Sequence, residues 1–290
     1  MENGRASTTA QLVAGLRAAH HQSGERPLVF DDPFAARFTG GLFAEPLERG
    51  ELQAYLDRLH LQPIQGGVLA RARYAEDALE RGLDALGVTQ LVLLGAGNDS
   101  FLLRRPDLAK RLRVFELDHP DSQAEKRAKL RSLGFEDHPE ARFVPVDFER
   151  ETAGAALAGS GLDPERPTFF TWLGVVTYLT RAAFESTLAS LRAVSALGSR
   201  IVFDYPIAIE LLTAEADRAR SAEVNRSTAA VGEPRQLRHD PAQLARDAAR
   251  LGYAVVEDLA PADLFERYFA RRRDGLRPNP ENRLIQLRMA

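Results

Sequence analysis

The spacing of apolar positions changes near residue 89 of the chain. Before that point apolar residues recur three and four apart, which predicts helices over 7–23, 33–38 and 51–86, the last with a break at Gly66 and Gly67. Beyond it, short apolar runs alternate with helical segments. The runs predict strands at 90–97, 113–120, 141–148, 168–175 and 199–206, and the segments between them predict helices at 121–133, 151–159 and 181–195. Strands that are apolar on both faces and alternate with helices indicate an α/β fold, with a mostly parallel sheet covered by helices.

The remainder of the chain predicts a cap and two further strands. Residues 207–250 are polar, rich in alanine, arginine and glutamate, and helical in pattern, whereas 252–259 and 282–290 have the pattern of strands. We therefore expect a single domain over 1–290. Its predicted parts are an N-terminal helical flank (1–88), a core (89–206), a helical cap inserted after the fifth strand (207–250) and C-terminal strands (251–290).

Composition narrows the classes of function. A net charge of −3 and a pI near 6.1 give no basic footprint for nucleic acid or for an acidic membrane surface. The absence of cysteine excludes disulfides, thiolate metal sites and a cysteine nucleophile, and the six histidines lack metal-ligand spacing, so no metal is expected. No apolar run approaches the roughly 18 residues of a membrane span or forms a signal peptide, which predicts a cytoplasmic protein.

The stretch LVLLGAGNDS, residues 91–100, is the first candidate for a binding site. Gly95 and Gly97 follow a predicted strand, which is typical of a loop whose backbone approaches a nucleotide. A P-loop is excluded because no lysine follows Gly97 at the required distance. The match to a dinucleotide-binding loop is partial, because Ser100 occupies the place of the third glycine.

Acidic residues end the next two predicted strands. Glu116 and Asp118 lie 21 and 23 residues after Gly95, where a carboxylate can accept both ribose hydroxyls. Asp147 and Phe148 end the third strand, where they could hold the edge and face of an adenine. Taken singly, the glycines could form a turn, Asp118 could cap the following helix and Asp147 could belong to a turn. Together they favour an adenosine without pyrophosphate, which S-adenosylmethionine fits better than NAD.

The ordered stretches also resemble a known family. They are similar to the motifs of the leucine carboxyl methyltransferases, a group of class I S-adenosylmethionine-dependent enzymes, over roughly residues 8–206. The stretches concerned are LVLLGAGNDS, FELDHP, VPVDF, FFTWLGVVTYLT and GSRIVFDY. The resemblance implies a Rossmann-like fold in which Gly95 and Gly97 lie under the cofactor. It implies further that Asp118 binds the ribose hydroxyls, and that Asp147 and Phe148 flank the adenine.

The same resemblance implies a basic residue for the methionine carboxylate of the cofactor. Arg71, in the helix before the first strand, is the first candidate and Arg73 the second, while Arg17 in the first helix matches a second basic position. Many relatives carry an acid where this chain has Leu173. That departure favours the bacterial branch that acts on small molecules.

The sequence therefore predicts an S-adenosylmethionine-dependent O-methyltransferase. Its expected acceptor is a carboxyl or hydroxyl group of a small molecule, of the kind modified in secondary metabolism. No general base is singled out. Trp172 and Tyr178 are candidates to line the cavity, although Trp172 could equally belong to the core, and Asp204 and Tyr205 either orient the acceptor or form a strand-end turn.

The sequence leaves two questions open: the role of the arginines in the cap, and the functional class of the protein. The arginines could attract an anionic acceptor or pair with neighbouring acids. An NAD(P)-dependent oxidoreductase is disfavoured by Ser100 and by the lack of a Tyr-x-x-x-Lys pair. A non-catalytic protein that binds S-adenosylmethionine is the third possibility.

Overall fold

The computed structural model describes residues 8–135, 139, 141–148, 150–230 and 232–290. Residue 7, the predicted first residue of the first helix, and His138 lie outside these ranges. The N-terminal flank consists of short helices followed by one long helix. Their bounds are α1 Thr8–Ser23, α2 Ala35–Phe38, α3 Ala44–Glu48, α4 Leu52–Arg58 and α5 Gln62–Leu86.

Within the described ranges, seven strands form one sheet in the order β3-β2-β1-β4-β5-β7-β6. Strands β1 to β5 pair in parallel, and β7 runs antiparallel to both β5 and β6. The bounds are β1 Gln90–Leu94, β2 Arg113–Asp118, β3 Ala141–Pro145, β4 Thr168–Trp172, β5 Arg200–Pro206, β6 Tyr253–Leu259 and β7 Asn282–Met289. Because β1 and β4 are neighbours in the sheet but not in the chain, the carboxyl ends of β1 and β4 flank a crevice, the usual ligand position in such sheets.

Helices cover both faces of the sheet. Along β1, Leu91 and Leu93 enter one buried cluster, whereas Val92 and Leu94 enter another on the opposite face. This alternation follows from the two-residue period of a strand and explains why the strand is apolar throughout. The later helices are α6 Phe101–Arg104, α7 Pro106–Ala109, α8 Pro120–Ser132, α9 Ala153–Ala158, α10 Arg181–Ala193, α11 Glu215–Ala230, α12 Pro241–Arg250 and α13 Pro261–Tyr268.

The glycine pair in the long N-terminal helix does not break it, contrary to the sequence-based expectation. Helix α5 continues through Gly66 and Gly67, and the break falls before it, between α4 and α5. A Cβ atom at Gly66 would lie 1.7 Å from the carbonyl oxygen of Arg277, and one at Gly67 would lie 2.9 Å from Cβ of Asn279. The glycines therefore allow a distant segment to pack directly against the helix backbone.

The predicted cap divides into two parts with different packing. Helix α11 is largely exposed and buries only Ser221, whereas α12 buries Leu244 and Ala248 in a core cluster and leads into β6. The last ten residues of the predicted cap thus form the helix that connects β5 to β6 across the sheet. Among the described helices, none is long and apolar enough to span a membrane.

Candidate functional site

The glycine loop after β1 is pinned to the neighbouring strand. The backbone amides of Gly95 and Ala96 both donate to the carbonyl of Leu117, at 2.8 and 3.0 Å. Gly95 and Gly97 have φ values of +66° and +47°, in the left-handed region that glycine adopts freely. A Cβ atom at Gly95 would lie 2.6 Å from Cγ2 of Val175, whereas at Gly97 the nearest atom would be 3.7 Å away. Gly95 is thus required by packing, whereas a Cβ atom at Gly97 would be in ordinary van der Waals contact with Ala10.

Asp118 lies at the end of β2 and faces this loop. One carboxylate oxygen accepts a hydrogen bond from the amide of His119 at 2.7 Å, and the other accepts from the amide of Gly97. Burial raises the pKa of Asp118 against the opposing effect of these two amides. The side chain that caps α8 is His119, which accepts from the amide of Asp121 at 3.3 Å. The alternative role of Asp118 as that cap is therefore not what the structure shows.

Glu116, the other acidic candidate on β2, lies on the same face of the strand but deeper. It is 2% exposed, and its Oε2 lies 2.6 Å from Nζ of Lys126. This pair is enclosed beneath the strand end. Asp118 is therefore the carboxylate of β2 that faces the glycine loop.

Asp147 and Phe148 follow β3, the strand beside β2. The amide of Val146 donates to the carbonyl of Asp118 at 2.8 Å, which holds this segment close to the end of β2. Phe148 is partly buried against a core cluster, and the carboxylate of Asp147 lies 3.4 Å from Nε of Arg150. An acid and an aromatic ring thus lie at the same edge of the sheet as Asp118.

The structure places Arg71 and Arg73, the first and second candidates from the sequence, in different environments. Arg71 Nη1 lies 3.0 Å from Oδ2 of Asp204, at the carboxyl ends of β4 and β5. Arg73 is exposed and pairs with Asp77 on the same helix at 2.8 Å. Two residues along a helix turn a side chain by about 200°, so the two cannot share one site. Of these two arginines, Arg71 is the one that lies near the carboxyl ends of the strands.

Arg17, on helix α1, contacts the glycine loop. Its Nη2 donates to the carbonyl of Asn98 at 2.6 Å, and its Nε lies 3.0 Å from Asp32. Asp32 also accepts from the hydroxyl of Ser100 at 2.7 Å. Burial lowers the pKa of Arg17, although Asp32 opposes the effect. This network ties α1 to the loop, which gives Arg17 a structural role.

Two aromatic side chains considered for the cavity or for the acceptor, Trp172 and Tyr205, belong to the core. Trp172 is 1% exposed and stacks on Phe184, with ring centroids 5.6 Å apart. Tyr205 donates to the carboxylate of Asp258 at 2.8 Å, away from the crevice. Leu173 packs against a core cluster. Tyr178 remains in the turn after β4, where burial raises the pKa of its phenol.

The cap arginines are paired rather than presented to an acceptor. Arg218 donates to the carbonyl of Leu212, and Arg220 and Arg226 pair with acids on α11. Arg235 and Arg238 both contact Glu281, at 2.8 and 3.0 Å. The structure thus supports the second of the two alternatives for these side chains.

Sequence reasoning did not single out two residues that surround Arg71 and Asp204 in the structure. Gly174 was visible as a glycine after the fourth strand, and Asn282 had no signal because it comes from the far end of the chain. Asp204 was predicted either to orient the acceptor or to form a strand-end turn; in the structure both of its carboxylate oxygens are engaged, by Gly174, Arg71 and Asn282.

The chemistry of these residues suits a nucleoside with a charged amino-acid tail. A carboxylate accepts ribose hydroxyls, an aromatic ring and an acid border a base, and a guanidinium binds a carboxylate. The described residues contain no group of three or more His, Asp or Glu side chains placed to hold a metal ion.

Comparison with known proteins identifies the family of this chain. The family model for leucine carboxyl methyltransferase matches residues 10–192. YktD of Bacillus subtilis, named as an S-adenosylmethionine-dependent methyltransferase, is 32% identical over 292 residues, covering 93% of this chain and 94% of YktD. A Mycobacteroides abscessus protein of the same description is 35% identical over 222 residues, covering 73% of this chain and 70% of its own length.

Solved structures share the fold at low sequence identity. A DUF574 family protein from Streptomyces avermitilis superposes with a TM-score of 0.61 at 15% identity, covering 95% of this chain and 97% of that one. A Thermobifida fusca protein assigned by name to the methyltransferases gives a TM-score of 0.59 at 13% identity, covering 94% of both chains. The sheet order and these similarities identify the fold as that of the class I methyltransferases.

Proposed function

This chain belongs to the leucine carboxyl methyltransferase family and is an S-adenosylmethionine-dependent methyltransferase, and on that premise we propose that it methylates an oxygen atom of a small molecule. Family membership selects this class from the three that the sequence left open. The oxygen belongs to a carboxyl group in the first place and to a hydroxyl group as a second candidate.

The residues present fit the cofactor. A Cβ atom at Gly97 would meet no atom closer than 3.7 Å, Asp118 has two carboxylate oxygens beside the glycine loop, and Arg71 has a single hydrogen-bond partner among the described residues. In this proposal Gly95 and Gly97 underlie the cofactor and Asp118 accepts its ribose hydroxyls. Asp147 and Phe148 border the adenine. When bound, S-adenosylmethionine supplies a sulfonium methyl group as the electrophile.

The observation that carries the proposal is the position of Arg71. Its guanidinium lies at the ends of β4 and β5, on the opposite side of the glycine loop from Asp118. A ligand with ribose at one end and a carboxylate at the other matches this separation of acceptor and donor groups. The protein's contribution to the reaction is to align the acceptor with the methyl group and to exclude water.

A carboxyl acceptor is favoured because it needs no general base at neutral pH. The histidines nearest to the strand ends are engaged elsewhere, since His119 caps α8 and His239 is buried against Phe184 and Tyr205. The name of the family points the same way.

One contact favours a hydroxyl acceptor as the second candidate. The hydroxyl of Thr9 donates to the carboxylate of Glu233, and burial together with the nearby charge of Glu233 raises the pKa of the Tyr178 phenol. A carboxylate in this position could accept the proton of an acceptor hydroxyl.

The first experiment is calorimetric titration with S-adenosylmethionine, S-adenosylhomocysteine and NAD. It is followed by incubation with S-adenosylmethionine labelled in the methyl group and with paired acceptors, such as benzoic acid and phenol. Mild alkali releases label from a methyl ester but not from a methyl ether, so the product identifies the acceptor class. Label transferred only to nitrogen or carbon acceptors would contradict the proposal.

Asp118→Ala serves as the binding-deficient variant. Loss of one or two charge-assisted hydrogen bonds is expected to weaken S-adenosylmethionine binding by roughly 2–4 kcal/mol, which is about 30-fold to nearly 1000-fold. Asp121→Ala, which removes an exposed acid at the start of α8, is the matched control and should leave the affinity unchanged. Unchanged affinity in folded Asp118→Ala protein would refute the ribose assignment.

A further inference from the structure

Within the described part of the chain, the guanidinium of Arg71 is hydrogen-bonded through one nitrogen atom only. Its Nη1 lies 3.0 Å from Oδ2 of Asp204, and this is its single hydrogen bond to the described part of the chain. Its side chain is only 16% exposed. An arginine has five N–H donors, so the contact with Asp204 leaves most of them available to another acceptor.

Asp204 is fixed by three elements of the fold. The side chain is 6% exposed, and its Oδ1 accepts from the backbone amide of Gly174 at 2.6 Å, just beyond β4. Its Oδ2 accepts from Nδ2 of Asn282, the first residue of β7, at 3.3 Å, as well as from Arg71. The carboxylate therefore places the guanidinium relative to the sheet, although Arg71 itself belongs to α5.

Gly174 provides the surface on which the guanidinium lies. A Cβ atom at this position would come within 2.4 Å of Nη2 and 2.7 Å of Cζ of Arg71. Its φ of +72° is also in the left-handed region. Any larger residue at 174 would push the guanidinium away from Asp204.

We propose that Asp204 and Asn282 are positioning residues that preset Arg71 for the carboxylate of the cofactor, so that the protein selects adenosine ligands by their amino-acid tail. A free arginine side chain loses much rotamer freedom when it binds, and a guanidinium that is already fixed avoids that cost. Asp204 also compensates the charge of Arg71 while the site is empty of a carboxylate, which a buried guanidinium requires. This inference rests on the cofactor placement proposed above.

The test compares two ligands that differ in the tail. S-adenosylhomocysteine carries the amino-acid part, and 5′-deoxy-5′-methylthioadenosine ends at a methyl thioether. Calorimetry gives the ratio of their affinities, and Arg71→Ala shows how much of that ratio depends on the guanidinium. Asp204→Asn and Gly174→Ala are each expected to lower S-adenosylhomocysteine affinity about tenfold, the size of one charge-assisted hydrogen bond, with methylthioadenosine affinity unchanged. Asn282→Ala should act in the same direction more weakly, because its contact is longer.

Asp77→Asn is the matched control. It removes the carboxylate that pairs with Arg73 on the same helix and should change neither affinity. A merely structural role for Asp204 predicts that both affinities fall together, and that result would overturn the proposal. So would an unchanged ratio in folded Asp204→Asn or Gly174→Ala protein. If Asp204→Asn does not fold, Gly174→Ala and Asn282→Ala decide the question by the same ratio.

The ligand series separates this inference from the proposals on which it rests. If Arg71→Ala leaves the ratio of S-adenosylhomocysteine to methylthioadenosine affinity unchanged, the proposed cofactor placement is refuted. If Arg71→Ala lowers this ratio but Asp204→Asn does not, only the positioning role of Asp204 is refuted. Neither result depends on the methyl acceptor, so the failure of O-methylation would appear independently in the transfer assay.

Discussion

At the scale of single residues, the two glycines of the loop after β1 have different physical roles. Gly95 has no room for a side chain because Val175 lies against it, whereas a Cβ atom at Gly97 would meet Ala10 only at an ordinary contact distance of 3.7 Å. Both adopt positive φ, which costs an ordinary residue about 1–2 kcal/mol. The backbone therefore needs glycine at both positions, but only Gly95 is needed for packing.

Gly97→Leu should separate binding from folding. We expect the melting temperature of the ligand-free protein to fall by only a few degrees, because the strain is about 1–2 kcal/mol, while the new side chain blocks the cofactor. Calorimetry with S-adenosylhomocysteine and thermal denaturation measure the two effects.

Gly95→Leu is the comparison variant. Its side chain would collide with Val175, so it should lower the melting temperature much further. If the two variants lose equal stability, or if Gly97→Leu still binds, then Gly97 does not face the cofactor.

At the scale of elements, a buried cluster of charges fastens the cap to the sheet. We call Glu281, Ser221, Arg235 and Arg238 the Glu281 cluster. Glu281 accepts from Ser221 at 2.7 Å, Arg235 at 2.8 Å and Arg238 at 3.0 Å. Burial alone would raise the pKa of Glu281, but the two arginines and the hydroxyl hold it below its usual value. The polar helix α11 thus depends on this cluster more than on apolar packing.

Glu281→Gln is expected to loosen the cap. Removal of the charge leaves two guanidinium groups without their buried partner, which costs about 3–5 kcal/mol in comparable buried pairs. Hydrogen exchange should speed up mainly in residues 215–240, and urea denaturation should show the loss of stability.

The control is Glu223→Gln, which removes the partner of Arg226 on the exposed face of α11. An exposed pair contributes about 1 kcal/mol or less, so this variant should behave like the native protein. Equal effects of the two substitutions would show that the Glu281 cluster does not anchor the cap.

At the scale of the whole molecule, two buried histidines make the free energy of unfolding depend on pH. Burial lowers the pKa of His20 and of His239 to about 4, and nearby Arg272 and Arg181 add to the effect. His20 Nε2 also accepts from the amide of Val29 at 3.1 Å, which requires the neutral ring. Since the unfolded chain titrates these groups near pH 6.5, it binds more protons than the folded protein between about pH 6.5 and 4.

The free energy of unfolding should therefore fall as the pH drops through that window. Each histidine contributes a loss of about 2 kcal/mol between pH 7 and pH 5, and almost none above pH 7. His239→Gln, which cannot be protonated, should lose about 2 kcal/mol less than the native protein over the same interval. Urea denaturation at the two pH values measures both losses. An equal loss in the variant would show that His239 titrates normally in the folded state.

The sequence by itself predicted the order of strands and helices along the chain and the use of an adenosine-containing cofactor. Local patterns suffice for this because strand burial, helix spacing and the glycine loop are all encoded within a few neighbouring residues. The resemblance of the ordered motifs identified the family, which the family model confirms. Asp118, Asp147 and Phe148 were candidates because each follows a strand whose end meets the same sheet edge; their roles at the cofactor remain predictions.

Only the tertiary structure showed which of several residues close together in the chain lie at the strand ends. Glu116 and Asp118 differ by depth in the sheet, and Arg71 and Arg73 differ by direction around α5. The role of the Gly66–Gly67 pair depends on residues 277–279, which are distant in the chain. Likewise, the environment of Arg71 is completed by Asp204 and Asn282, from two strands that meet only in the folded sheet. Local spacing cannot specify such contacts, because they depend on which distant segments pack together.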